Sequence, residues 1–514
     1  MGPRPAQDQR RVLRTRGIRT RYPGSDRGHD SRDVRSVGTS CTGRIDDVGT
    51  AGTRGGRPVS GNVFVLSSDS LRLDRTVDED VMPYLADLGE NGTRFTNAVA
   101  NGPFTPASFP TLLASRYPSS IDGIGIPDGD AVTTIAEEFQ RAGYRTALWS
   151  DNKFVGDEYN YDRGFEEGAG YEVSLRDRVR EHIDEDGALF KLLEFGYMNV
   201  WKSMKNSVGD SHYYATAEGL NGKARTWLDG LDPARDDVHV WLHYMDTHHP
   251  YEPAEEYVPY DELTEVTDRT EANNLTRRVV SNDGRDATPE ELADVRRLYD
   301  AECRYLDDRL REFVGWLRDE GWLGPEDVLV VTSDHGEILY GYETWGAFGH
   351  ENVFSEECTR IPLVFDHGEL PEVDVADQAS LVDLMPTLLD LLGMDVPASA
   401  MGESLVPLAR GEREGAEYVF YDGTMGYGGV RSADGRKVFD CEHRGKDEYV
   451  GTTFDPGTLE AEYGETLEDA PDESLLTELR QFERTARERQ DDAKAIDPDS
   501  IQVEQHMRDL GYLE

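Results

Sequence analysis

Basic residues are what this sequence is short of: 54 Lys and Arg stand against 102 Asp and Glu, a formal net charge of -48 over 514 residues. Such a surface repels a polyphosphate backbone, which excludes nucleic acid as an expected partner. Cysteine is nearly absent too. Cys41, Cys303, Cys358 and Cys441 lie far apart without a C-x-x-C pair, so neither a zinc knuckle nor a disulfide framework is indicated and reduced thiols are expected. Long apolar runs are also missing. No stretch approaches the roughly 18 consecutive apolar residues of a membrane span, and the N-terminus lacks the apolar core of a secretory signal. A cytoplasmic protein with no transmembrane segment is the expectation.

Apolar residues still make up 37% of the chain, and they cluster in short β-branched runs such as 62–66 and 328–331. That pattern argues for a folded core beneath an acidic shell rather than for disorder. The mean hydropathy is -0.64. Asp and Glu in excess with scarce Lys resembles proteins of salt-accumulating halophiles, where screening removes much of the self-repulsion. The charge then reports habitat rather than activity.

Residues 1–58 form a separate zone, rich in Arg and Gly and poor in aliphatics, that cannot build a core and is expected to be a disordered basic tail. From Gly61 onward, apolar runs of strand length alternate with segments of helical period, the signature of βαβ units around a mostly parallel sheet. The pattern predicts strands at 62–68, 145–150, 238–245, 327–333 and 361–366. Helices are predicted near 79–90, 131–143, 213–229, 289–320 and 380–393. The polar stretch 252–290 reads as a loop or cap over the strand ends. A catalytic α/β domain is expected over 59–410, followed by a smaller acidic α+β subdomain over 411–514 that ends in a helix near 472–493 and a closing motif at 506–512.

Open parallel sheets place ligands at the carboxyl ends of their strands. The first predicted strand ends in Asp69, the third runs into Asp246 and His248, and the fourth delivers Asp334, His335 and Glu337. Carboxylates and imidazoles arriving from several strand ends at one rim can supply ligands for a divalent cation. Each alone also reads as a strand-end turn or cap. A second element, 101–118, is a small-residue turn leading into a short helix. A hydroxyl at such a helix start lies beside free backbone N–H groups and the positive end of the dipole, a setting that favours an attacking alkoxide and an anionic substrate. In isolation, Thr105 or Ser108 there is an ordinary cap.

Five motifs stand in order: Asn62-Val63-Phe64-Val65-Leu66-Ser67-Ser68-Asp69-Ser70-Leu71-Arg72, the turn-helix from Thr105 to Pro118, Trp241-Leu242-His243-Tyr244-Met245-Asp246-Thr247-His248-His249-Pro250-Tyr251, Thr332-Ser333-Asp334-His335-Gly336-Glu337, and Arg360-Ile361-Pro362-Leu363-Val364. Together they resemble the sulfatase family of the alkaline phosphatase superfamily, from about Gly61 to Glu514. The resemblance implies an alkaline-phosphatase-like α/β fold and a metal-dependent ester hydrolase. It assigns the metal to Asp69, Asp334 and His335, with Ca, Mn, Mg or Zn all open, and a substrate-anion contact to His248, which is also placed to protonate a leaving group. His350 is a further ligand, an anion contact or a surface histidine, and Asn152 and Lys153 are placed to touch the anion or simply to shape their loop. The expected partner is an anionic ester, a sulfated or phosphorylated glycan or lipid.

The departure from the family pattern carries as much information. Sulfatases that mature their nucleophile use Cys or Ser in C/S-x-P-x-R and oxidise it to an aldehyde. Here Thr105 falls at the nucleophile position and Phe109 where the Arg belongs. Threonine cannot become that aldehyde, so direct attack by a metal-activated Thr105 alkoxide is expected, which leans toward phosphorus esters. A rival frame puts Ser108 at the nucleophile. A phospho(glycerol)transferase using the same residues, and a catalytically degenerate anion or glycan binder, are the alternative functions. His243 alternates with its neighbours inside a strand and is expected to be a buried structural residue.

Overall fold

The computed structural model describes residues 61–168 and 212–490, apart from 122, 259, 265, 351–352, 424–425, 442–444 and 461–462. The basic tail at 1–58 and the closing motif at 506–512 lie outside the described residues.

The apolar runs become strands at the expected places, within a residue or two at each end. In chain order they are β1 (Val63–Ser68), β2 (Thr93–Phe95), β3 (Ala98–Val99), β4 (Arg145–Ser150), β5 (Glu167–Gly168), β6 (Val238–Tyr244), β7 (Val328–Ser333), β8 (Leu363–Asp366), β9 (Val373–Val375) and β10 (Ala379–Ser380). The central eight-stranded sheet has the order β5-β4-β6-β1-β7-β8-β2-β9, and β3 pairs with β10 beside it. Pairing is parallel except where β8 meets β7 and β2. The mostly parallel α/β expectation therefore holds.

β1, β6 and β7 are buried along their whole length, as parallel strands covered on both faces must be. Alternation sends Phe64, Leu66 and Leu242 into one apolar cluster and Val63, Val65 and Trp241 into the other. Helices cover both faces: α1 (Pro83–Glu90), α2 (Thr105–Ala114), α3 (Ile135–Arg141), α4 (Ala217–Leu228), α5 (Arg269–Ser281), α6 (Pro289–Asp319) and α7 (Leu384–Leu391). The longest, α6, starts at a capping box between Thr288 and Glu291. Its expected stripe of Val295, Leu298, Leu306, Leu310, Val314 and Leu317 is buried on the sheet, each side chain worth about 1.5–3 kcal/mol of transfer free energy.

The polar segment 252–290 is not only a loop, because α5 occupies its middle. Its apolar content is low, yet Ala272, Leu275, Thr276 and Val279 fall at helical spacing and are buried, and Asp268 caps the first turn by accepting from Glu271 N. The polar and charged residues around these four conceal a periodic buried face.

After α7 the chain builds a five-stranded antiparallel sheet from β11 (Tyr418–Asp422), β12 (Gly428–Ser432), β13 (Arg436–Cys441), β14 (Gly445–Thr453) and β15 (Thr466–Leu467), followed by α8 (Glu473–Glu488). A buried ion network ties this sheet to the segment before β8. Glu356 takes Arg431 at 3.0 and 2.9 Å and Lys437 at 2.9 Å, and Lys437 also reaches Glu465 at 2.8 Å. Among the described residues, no helix is long and apolar enough to cross a membrane.

Candidate active site

Register alone brings the first ligands together. Ser68 of β1 lies opposite Ser333 of β7 and Tyr244 of β6, so the next residues, Asp69 and Asp334, leave adjacent strands side by side. His335 follows, with Nε2 3.4 Å from Asp69 Oδ1 and 3.5 Å from Asp334 Oδ2. All three side chains are fully buried.

The turn before α2 delivers the hydroxyl. Gly102 makes it possible, since a Cβ there would fall 2.5 Å from the Ala107 Cβ. Phe104 occupies the cap position without a side-chain cap hydrogen bond, so the Thr105 hydroxyl is not spent on capping. It donates to Asp69 Oδ2 at 3.1 Å and accepts from Asn152 Nδ2 at 3.1 Å, while the same amide donates to Asp69 Oδ2 at 2.8 Å. Ser108, by contrast, turns its hydroxyl to the Gly102 carbonyl at 3.0 Å. Phe109 is buried with its ring edge against His243, 4.9 Å between centroids.

His243 is the residue that sequence reasoning left out. It lies opposite Ser67, two positions before Asp69, and its Nε2 is 3.6 Å from Asp69 Oδ2 and 3.9 Å from Asp334 Oδ2. Its Nδ1 is 2.9 Å from Ser67 Oγ, which in turn accepts from Trp241 Nε1 at 2.8 Å. The available signal was positional: a histidine one residue from the end of a strand whose neighbour ends in an aspartate.

On the other side, His248 stacks on His249 with centroids 4.3 Å apart and meets His350 at 5.0 Å. His350 Nδ1 lies 3.2 Å from both Glu337 oxygens and 3.3 Å from Ser70 Oγ. Lys153 is half-buried in the loop just after Asn152. Arg72 and Asp74 form a close pair at 2.9 and 3.1 Å, and Arg72 also takes Glu357 and the Glu337 carbonyl, each at 2.5 Å.

Charge is distributed unevenly. Burial works against ionisation of Asp69, but the imidazoles of His248, His243 and His335 outweigh it and hold the carboxyl well below its usual range. Asp334 is pushed well above that range, first by burial and then by the Asp69 charge. Burial, reinforced by neighbouring imidazoles, drives His249 and His350 well below the ordinary histidine value. Asp334 Oδ2 and His335 Nε2 are buried without a hydrogen-bond partner. The ligand atoms of Asp69, His243 and Asp334 lie within 4.8 Å of one another, as do those of Asp69, His335 and His350. Converging carboxylate oxygens and imidazole nitrogens of this kind fit a divalent cation.

The comparisons point the same way. The family model described as Sulfatase matches residues 61–394. Arylsulfatase K of Xenopus laevis is 35% identical over 122 residues, a match covering 24% of this chain and 22% of that protein. Choline-sulfatase of Rhizobium meliloti (strain 1021) is 25% identical over 432 residues, covering 77% of this chain and 79% of the relative. Phosphonate monoester hydrolase of Agrobacterium radiobacter has a similar structure, with a TM-score of 0.57, 18% identity, and coverage of 84% of this chain and 95% of that one.

Proposed function

The chain belongs to the sulfatase family, and on that footing we propose that it is a metal-dependent hydrolase of sulfate or phosphate esters in which Thr105 is the nucleophile. One observation carries the reading: a buried threonine hydroxyl at a helix start, hydrogen-bonded to Asp69 within the carboxylate–imidazole cluster. The relatives named as sulfatases and the fold shared with a phosphonate monoester hydrolase support an anionic ester as substrate.

Asp69, Asp334 and His335, with His243 beside them, would hold the cation. When bound, it lowers the pKa of the hydroxyl and offsets charge on the ester oxygens. The chain's own residues do the rest. Asp69 Oδ2 and Asn152 fix the Thr105 oxygen, with its proton directed at the carboxylate. Attack forms an O–P or O–S bond to Thr105 as the bond to the leaving oxygen breaks. The hydroxyl proton passes to Asp69 Oδ2, which it already faces at 3.1 Å, and His248 supplies a proton to the departing alcohol. Water then cleaves the threonine ester and restores the hydroxyl. Asn152, Lys153 and His350 surround the anion.

The test is turnover of an aryl sulfate, an aryl phosphate and a bis-aryl phosphate with Ca, Mn, Mg and Zn in turn. Thr105→Ser should retain activity and Thr105→Ala should lose it, with the trapped sulfuryl or phosphoryl adduct mapping to residue 105 by mass spectrometry. Undiminished turnover by Thr105→Ala overturns the assignment, and no turnover with any metal favours an anion binder.

A further inference from the structure

Next to His248, two polar groups have buried atoms without a hydrogen-bond partner among the described residues: the hydroxyl of the partly buried Tyr214 and the two ring nitrogens of His249. Tyr214 precedes α4, in a segment pinned by carboxylates. Tyr213 N donates to Glu252, Ala215 N to Asp151 Oδ2 at 2.7 Å, and Ala217 N to Asp246 Oδ1 at 3.1 Å. Asp151 and Asp246 follow β4 and β6, in the same loops that deliver Asn152 and His248. The segment around Tyr214 is thus held by the loops that also carry Asn152 and His248.

The Tyr214 ring stands perpendicular to His248, with centroids 5.5 Å apart, and rests on the apolar cluster that contains Phe109. Burial, then Tyr213 and then the Asp69 carboxylate raise the phenol well above its ordinary value. It therefore keeps its proton at neutral pH and is a donor. A buried donor with no partner works against folding, so a site that retains one invites an acceptor from outside the chain.

We propose that Tyr214 is a further substrate-contacting residue, its hydroxyl donating to a non-bridging oxygen of the ester bound between Thr105 and His248. The inference rests on the reading of this site as one for an anionic ester. It gives the anion an uncharged donor beside His248.

Tyr214→Phe removes one oxygen and keeps the ring against His248. Binding of inorganic sulfate and inorganic phosphate to the metal-loaded protein, measured by calorimetry, reads the contact without requiring turnover. Loss of a hydrogen bond to a charged group should weaken the affinity for the bound anion by about 10–100-fold, and kcat/KM should fall by a similar factor. The thermal midpoint should be unchanged or higher, because the hydroxyl holds nothing in the fold. Unchanged anion affinity in Tyr214→Phe, or a lowered midpoint with unchanged affinity, overturns the role of Tyr214 alone. Wild-type protein that binds neither anion with any of the four metals overturns the site reading on which it rests.

Discussion

Replacing His243 separates a structural histidine from a member of the metal site. The ring has two distinct sides. Nδ1 faces Ser67 Oγ at 2.9 Å, and Nε2 faces Asp69 and Asp334 at 3.6 and 3.9 Å. Ser67 already accepts from Trp241, and its own proton can go to His243 Nδ1 or, at 3.4 Å, to the Leu242 carbonyl. The imidazole can therefore present either a proton or a lone pair to the carboxylates. His243→Asn preserves a polar atom near the Nδ1 position and deletes Nε2, whereas His243→Gln can reach toward the carboxylates. A ring that only orients metal-binding carboxylates costs about 10–100-fold in affinity when lost, which is about 1.4–2.7 kcal/mol. A ring that binds the ion costs more. Titration with Mn or Zn, read by calorimetry, should place His243→Asn at least 10-fold weaker than wild type and His243→Gln between the two. If His243→Asn binds metal within about threefold of wild type, the histidine belongs to the core and the sequence-based view of it was right.

Asp422 accepts from Ser119 N at 2.6 Å, and burial raises its carboxyl from 3.8 to about 7. The folded state then holds a proton that the unfolded state has released, so this group's contribution to stability is complete below pH 4 and is lost as the pH rises through 7. The unfolding free energy of Asp422→Asn should gain on wild type by about 1 kcal/mol per pH unit across that window, measured by urea titration; a flat difference would refute it. In the buried network, Arg431 and Lys437 hold the Glu356 carboxyl below its usual range against the opposing effect of burial. Glu356→Gln leaves two buried cations underpaired and should cost about 3–5 kcal/mol, seen as a lower unfolding midpoint. Phe109→Arg, which restores the family residue, should also destabilise by several kcal/mol, because it places a guanidinium where the Phe ring now packs 4.9 Å from His243 and 5.4 Å from Tyr161. Unchanged stability by calorimetry would show that the site can accept the charge.

That Asp69, Asp334 and His335 meet at one rim was legible because the residues before them are unbroken apolar runs, and a parallel sheet turns the end of such a run into an address. His243 was not, because its surroundings resemble those of His239. Both alternate with Trp241 on one face of β6, and His239 is indeed a core residue, driven down to about 3 by burial. Only register separates them: His239 pairs with Val63 at the start of β1 and His243 with Ser67 near its end. That information lies in the pairing of strands more than 170 residues apart, which neither composition nor local spacing carries. Tyr214 and His249 were illegible for a related reason, since their meaning comes from the absence of a partner in three dimensions. The helix α5 was hidden differently, by polar and charged residues filling the positions its buried face left open.

The two departures from the family motif, Thr105 and Phe109, have one physical explanation. Four residues apart, they occupy the same face of α2, one turn from each other. An arginine at the second position would bring a positive charge up against the Thr105 hydroxyl. The phenylalanine instead supports the His243 ring, edge to face, and that ring stands over both carboxylates. Where the C/S-x-P-x-R pattern has a fixed cation, this chain has a ring that holds the His243 imidazole beside Asp69 and Asp334. On the proposed function, charge compensation for an incoming anion would then fall on a bound cation, on Lys153 and on neutral donors, the setting in which an unmodified hydroxyl needs a metal to become a nucleophile. On the function proposed above, Thr105 and Phe109 are two parts of one arrangement: an unmodified alcohol at the start of α2 and an aromatic ring, not a guanidinium, one turn further on.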